Sequence, residues 1–104
     1  MTAVITQATF NPHPGADMSS IRKIVKEAAV IWRKHGAEVS LWMVSNGEIG
    51  NMTFSCRYES FEKYGKCAGA VYADPAFQTW SAKATASGLT SWVRSNILRE
   101  ISLN

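Results

Sequence analysis

Residues 38–58, EVSLWMVSNGEIGNMTFSCRY, decide how this chain folds, because they read as two antiparallel strands joined by a turn. The segments Glu38 to Ser45 and Asn51 to Tyr58 place an apolar side chain at every second position, which is typical of strands with one buried face. Asn46-Gly47 between them is a strong turn signal, and Glu48-Ile49-Gly50 lengthens the loop beyond two residues. The segment therefore predicts an antiparallel hairpin in the middle of the chain.

One strand and one long helix are predicted before this hairpin. The strand covers Val4 to about Phe10 and ends in the loop 11–15, whose two prolines and glycine break a strand ladder. Three residues that can cap the helix follow, namely Asp17, Ser19 and Ser20. The helix has one apolar face, formed by Ile21, Ile24, Val25, Ala28 and Trp32. Gly36 is expected to end it.

A second helical region and a last strand are predicted after the hairpin. Ser60 can cap a helix that begins at Phe61, and Asp74-Pro75 restarts a second helix as far as about Ser87. The last strand covers about residues 89–101. This βαββαβ order predicts a ferredoxin-like α+β fold, in which both helical regions lie on one face of a four-stranded antiparallel sheet. The length of 104 residues fits a single domain, residues 1–104.

Composition excludes several classes of protein. The net charge of +3, from 11 basic and 8 acidic side chains, is too small to indicate a nucleic acid partner. No apolar run approaches the roughly 18 to 20 residues that span a bilayer, and the N-terminal residues lack the features of a secretory signal. We therefore expect a cytoplasmic protein that binds neither membrane nor nucleic acid. Cys56 and Cys67 form no CxxC motif, so we expect two buried, reduced thiols rather than a zinc site.

The sheet face away from the helices has an unusual predicted composition. Strict alternation along the strands puts Trp42 and Trp92 on it, and two tryptophans would leave a substantial apolar patch in water. The same face carries Arg57, Arg94 and Asn96, which are costly to bury without partners. This mixture is typical of interfaces and of polar-lined pockets. We expect a second copy of the chain to cover the face, giving a homodimer with a cavity for a small molecule.

The order of strands and helices resembles the dimeric α+β barrel superfamily, which includes antibiotic-biosynthesis-type monooxygenases and NIPSNAP-like proteins. The segments YESFEKYG (Tyr58–Gly65) and DPAFQTW (Asp74–Trp80) are similar to its second helical region, where an aromatic-rich helix leads to a D-P-x-F/W restart. The resemblance implies a dimeric α+β barrel. Functions in the superfamily range from cofactor-independent oxygenation to haem breakdown, so the fold does not choose among them.

Candidate ligand-binding residues are an arginine, which can bind a carboxylate, and aromatic residues, which can stack on a flat molecule: Arg57, Trp42, Tyr64 and Trp92. Packing of the aromatic rings in an interface or core is the structural alternative. For Arg57 and Arg94, the alternative is an ion pair with Glu38, Glu59 or Glu100, or with the partner chain.

Candidate catalytic residues are His13, Arg94 and Asn96. A histidine can exchange protons near neutral pH, whereas the other two can stabilise developing charge or orient a carbonyl group. An exposed turn residue is the alternative for His13, and structural pairing is the alternative for Asn96. His35 precedes Gly36, where a role at the helix end explains it better than catalysis does.

Three functions remain open at this point, and the sequence does not decide whether the chain is an enzyme. The first is a domain that binds a small molecule in a pocket between the sheet and the helices of a homodimer. The second is a cofactor-independent monooxygenase or isomerase acting on an electron-rich aromatic or polyketide-like substrate. The third is a structural module whose mixed sheet face is only a dimer interface. No metal or cofactor motif is found, so no cofactor is predicted.

Overall fold

The computed structural model describes residues 2–104 and has the predicted βαββαβ order, with the second helical region divided in two. The elements are β1 (Val4–Pro12), α1 (Met18–Lys34), β2 (Glu38–Met43), β3 (Met52–Tyr58), α2 (Phe61–Ala73), α3 (Pro75–Ser87) and β4 (Thr90–Arg99). β1 is two residues longer than predicted. Beyond Phe10 it pairs only with β4, so Pro12 lies where one side of the strand is free.

The helix limits follow from local capping contacts. Asp17 accepts a hydrogen bond from the amide of Ser19, and Ser60 accepts one from the amide of Lys63. Asp74 accepts one from the amide of Ala76 at 2.9 Å, which starts α3 directly after α2 ends. These bonds satisfy amides that have no partner within their own helix, and they confirm the predicted helix starts.

The four strands form one antiparallel sheet in the order β2-β3-β1-β4. Register places side chains in rows across the sheet, and directly opposed residues share a face. The helix face, toward which the helices pack, includes the row Val39, Cys56, Thr6 and Ile97. The open face, which carries no helix, includes the row Ser40, Ser55, Gln7 and Asn96.

β4 contains an irregularity that strict alternation does not predict. Thr9 of β1 pairs with Arg94, but the next residue, Phe10, pairs with Trp92, so Val93 is an extra residue in β4. A bulge of this kind changes the face to which the preceding side chains point. Trp92 therefore lies on the helix face beside Phe10, and the prediction that it shares the open face with Trp42 is wrong.

The tightly packed core lies toward one end of the helix face. Its buried members are Ile31, Ala37, Cys56, Tyr58, Cys67 and Val71. Both cysteines are free, and their burial confirms the expected burial of the two side chains. Among residues 2–104, no helix has the length and apolar character needed to cross a bilayer.

Candidate functional site

A cavity of about 440 Å³ lies between the helix face of the sheet and the helices. Its sheet side is formed chiefly by Thr6, Ala8, Phe10, Phe54, Cys56 and Ser95. Its helix side is formed chiefly by Ile24, Ala28, Trp32, Tyr64, Phe77, Trp80 and Ala84. The volume falls within the range of roughly 300–1,000 Å³ that is usual for small-molecule sites.

The cavity exists because small side chains face one another where the layers would otherwise pack. Ala8 lies in the middle of β1 opposite Ser95 of β4, and Ala28 of α1 and Ala84 of α3 face the same space. Large residues surround these positions and hold the helices away from the sheet. The alternation of small and large residues therefore leaves room that a packed core would fill.

One wall of the cavity is an ordered aromatic cluster. Trp32 contacts Phe77 edge-on, with ring centroids 6.2 Å apart, and Phe77 stacks on Trp80 at 5.7 Å. The indole N–H of Trp80 donates to the carbonyl oxygen of Ile24 at 2.9 Å, which joins α3 to α1. These contacts hold the rings in place before any ligand arrives, so little side-chain entropy would be lost on binding.

The cavity lining carries no formal charge. No lysine, arginine, histidine or carboxylate side chain is found among the described residues that line it. Burial raises the pKa of the Cys56 thiol to about 11, so this group is also neutral at pH 7. The polar groups that remain are hydroxyls and amides, and the hydroxyls include those of Thr6 and Ser95.

The four predicted ligand-binding residues do not come together. Tyr64 and Trp92 line the cavity, whereas Trp42 and Arg57 lie on the open face. The indole N–H of Trp42 donates to the hydroxyl of Ser55 at 2.8 Å. Arg57 lies 3.8 Å from the carboxylate of Glu38, the ion pair considered as its structural alternative.

The three candidate catalytic residues do not come together at the cavity either. His13 is exposed, and its Nε2 lies 2.6 Å from the hydroxyl of Ser91. Arg94 pairs with Glu48, a partner the sequence did not suggest, and the hydrogen bond from Arg94 lowers the pKa of that carboxyl group. Asn96 borders the cavity but pairs with Gln7 in a row of the open face.

A polar network covers part of the open face. The β2–β3 loop brings Glu48 over the sheet to Arg94 of β4, and the Asn51 amide donates to Glu48 at 3.0 Å. Beneath this loop, the hydroxyls of Thr9 and Thr53 lie 3.0 Å apart and are buried. The chain therefore satisfies several polar groups of this face by itself.

His35 has the structural role expected from its position. It is the C-cap residue of α1, and its Nε2 lies 2.9 Å from the carboxylate of Asp74. Lys34 lies 3.2 Å from the same carboxylate. Within residues 2–104, no three histidine, cysteine or carboxylate side chains are grouped closely enough to hold a metal ion.

No protein-family model and no curated protein matches the chain. Solved structures do. A NIPSNAP family protein of unknown function from Agrobacterium tumefaciens has a TM-score of 0.74 at 17% identity, covering 98% of this chain and 91% of that one. An uncharacterised NIPSNAP domain protein from Burkholderia xenovorans has a TM-score of 0.72 at 15% identity, covering 95% and 93%. The chain has the fold of NIPSNAP proteins.

The NIPSNAP-like fold also occurs in an enzyme. SnoaB from Streptomyces nogalater, a cofactor-independent oxygenase, has a TM-score of 0.71 at 10% identity, covering 98% of this chain and 96% of that one. These likenesses confirm the predicted ferredoxin-like α+β fold and its resemblance to the two groups. At such identities they concern fold alone.

Apart from Tyr64, Trp92 and Asn96, the residues that line the cavity are not among the predicted site residues. Ala8, Phe10, Phe54 and Ala84 are examples, because apolar side chains of this kind are indistinguishable in sequence from those of an ordinary core. The available signal was the placement of alanines in the middle of β1 and on the inward side of the helices, where a packed two-layer fold favours larger residues.

Proposed function

We propose that the protein binds a small, largely apolar molecule in the cavity between the sheet and the helices. The cavity itself is the observation that carries this proposal. It has the volume of a small-molecule site, a prearranged aromatic wall, and a few hydroxyl groups that can orient a ligand. If the helix face of the sheet served only to stabilise the fold, larger side chains that filled the cavity would increase the free energy of unfolding.

A fluorescence titration with the neutral probe N-phenyl-1-naphthylamine tests the proposal. The wild-type protein should bind it with saturable enhancement of emission. Ala84→Leu should weaken binding by about fivefold or more, because the larger side chain takes up space that the ligand needs, and overpacking in the bound state costs about 1–3 kcal/mol. Ala76→Leu, at an exposed position of the same helix, is the matched control and should leave the affinity unchanged. Equal binding by all three proteins, or none by the wild type, would contradict the proposal.

We further propose that a second copy covers the open face. The chain exposes 6841 Å², about 1,000 Å² more than the roughly 5,800 Å² expected for a monomer of 11.4 kDa. A standard interface covers about 800 Å² on each partner. Trp42 is 58% exposed and Leu98 45% exposed on this face, so apolar area is present for such a contact.

A cofactor-independent monooxygenase or isomerase is the second candidate. The cavity favours it in one respect, since a largely apolar lining limits the access of water to a reactive intermediate. The fold is shared with one cofactor-independent oxygenase. Oxygen consumption with quinol-type substrates tests this candidate. If the wild type consumes oxygen by turnover of the substrate and Ala84→Leu lowers the rate, the result would support an enzyme. If the substrate is oxidised equally slowly with and without the protein, the result would contradict the enzyme and leave small-molecule binding as the function.

A further inference from the structure

Trp92 occupies a distinctive place in the cavity. The bulge at Val93 turns its side chain to the helix face, where it lies beside Phe10 and lines the cavity. It is nevertheless 69% exposed, unlike Trp80 and Phe54 deeper in the cavity, which are half-buried. A residue that lines a cavity and faces solvent lies at its mouth. Bulges are common next to functional sites, where they re-aim a side chain.

The hydrogen bond of the Trp92 indole is local. Its N–H donates to the hydroxyl of Ser95 at 3.2 Å, three residues along the same strand. The indole of Trp80, by contrast, joins two helices through its bond to Ile24. The bond of Trp92 therefore links no separate elements, and the fold does not depend on it. The N–H can turn to another acceptor at the mouth without loss of tertiary structure.

The absence of charged side chains from the described cavity lining limits the kind of ligand that can supply this acceptor. Since no charged side chain lines the cavity among the described residues, an ionised ligand would lose its hydration without gaining a counter-charge. Arg94, close to Trp92 in sequence, is held by Glu48 over the open face. The site therefore suits a neutral molecule, with one polar atom at the mouth.

We propose that Trp92 is a ligand-binding residue at the mouth of the cavity, and that the ligand is a neutral, largely apolar molecule with an acceptor oxygen that receives the Trp92 N–H. This inference rests on the proposed binding function. It adds the class of ligand and the residue that recognises its polar end. The hydroxyl of Ser95, on the helix face opposite Ala8, lies within reach of the same atom.

Two matched pairs of probes test the inference. N-phenyl-1-naphthylamine and 8-anilinonaphthalene-1-sulfonate differ by one sulfonate, so the neutral probe should bind at least about tenfold more tightly. 2-Acetylnaphthalene and 2-isopropylnaphthalene have similar shapes, but only the first has an acceptor oxygen. Their affinities are measured by displacement of the neutral probe from the wild type, Trp92→Phe and Trp42→Phe.

The ratio of the two naphthalene affinities is the decisive quantity. Trp92→Phe should lower the acetyl-to-isopropyl ratio by about threefold to tenfold, the usual worth of one hydrogen bond. Trp42→Phe, on the open face, should leave the ratio at the wild-type value. An unchanged ratio in Trp92→Phe, with circular dichroism showing a folded protein, or equally tight binding of the sulfonate, would overturn the inference while leaving the binding function standing. No binding of the neutral probe to the wild type would overturn both.

Discussion

The indole N–H of Trp80 donates to the carbonyl oxygen of Ile24 at 2.9 Å, and this bond joins α3 to α1 above the cavity. Ile24 lies inside α1, so its carbonyl group also serves the helix. The tertiary bond is therefore an additional constraint that fixes α3 against α1 on the helix side of the cavity. Together with the large side chains around the cavity, this bond keeps the helix side of the cavity in place.

Trp80→Phe should lower the free energy of unfolding by about 1–2 kcal/mol, because it removes one hydrogen bond and part of a packed ring. Urea denaturation measures this. Trp92→Phe removes the same chemical group from an exposed, local bond, and it should change stability by less than about 0.5 kcal/mol. Equal losses in the two variants would show that the Trp80–Ile24 bond does not support the helix layer.

Acid should weaken the junction between α2 and α3. The hydrogen bond with His35, followed by that from the Ala76 amide, lowers the pKa of Asp74 to about 2. A carboxyl group whose pKa is depressed in the folded state stabilises the protein above its unfolded pKa, and this contribution is lost as the pH falls toward the folded value. Melting temperatures of the wild type should therefore fall between about pH 4 and pH 2.

Asp74→Asn provides the control for the pH dependence. It can still accept a bond at the start of α3 but has no charge to lose. Its melting temperature should be lower than that of the wild type at pH 6, and the difference should shrink as the pH approaches 2. A constant difference across this range would show that the ionised form of Asp74 contributes nothing.

The cysteine thiols should resist modification in the folded protein. Burial raises the pKa of Cys56 to about 11, so only about one thiol in a thousand is ionised at pH 8. Cys67 is also buried. Neither should react with 5,5′-dithiobis(2-nitrobenzoate) within minutes at pH 8, and both should react at once in guanidinium chloride. Rapid labelling of the native protein would contradict the packing described around Cys56.

Association through the open face should be visible in light scattering. The wild type should have about twice the chain mass of 11.4 kDa at micromolar concentration. Trp42→Lys should give a monomer, because it places a charge in the contact. Val30→Lys, at an exposed apolar position of α1 on the other side of the molecule, should remain a dimer. A monomeric wild type would refute this contact.

Much of the fold could be predicted because its signals are local. Ser60 caps α2, which begins at the next residue. The Asp74-Pro75 pair starts α3, because the Asp74 side chain caps the helix and Pro75 is its first residue. The hairpin between β2 and β3 also lies within one stretch of about twenty residues. Such features depend on neighbours in the chain, and one sequence is enough to reveal them.

The candidate site could not be predicted in the same way, because it depends on contacts between distant residues. The face of Trp92 changes at a bulge that arises only when β4 pairs with β1, more than eighty residues earlier. The pairing of Arg94 with Glu48 requires a loop to fold across two strands. The cavity results from alanines on separate elements, and none of them is unusual in its own segment.

The indole signals of the four tryptophans offer the most direct test of the binding cavity. Trp32, Trp80 and Trp92 line it, whereas Trp42 lies on the opposite face of the sheet. In ¹H–¹⁵N spectra, titration with N-phenyl-1-naphthylamine should shift the first three indole resonances and leave that of Trp42 in place. Shifts confined to Trp42, or no shifts at saturating probe, would contradict a ligand site between the sheet and the helices.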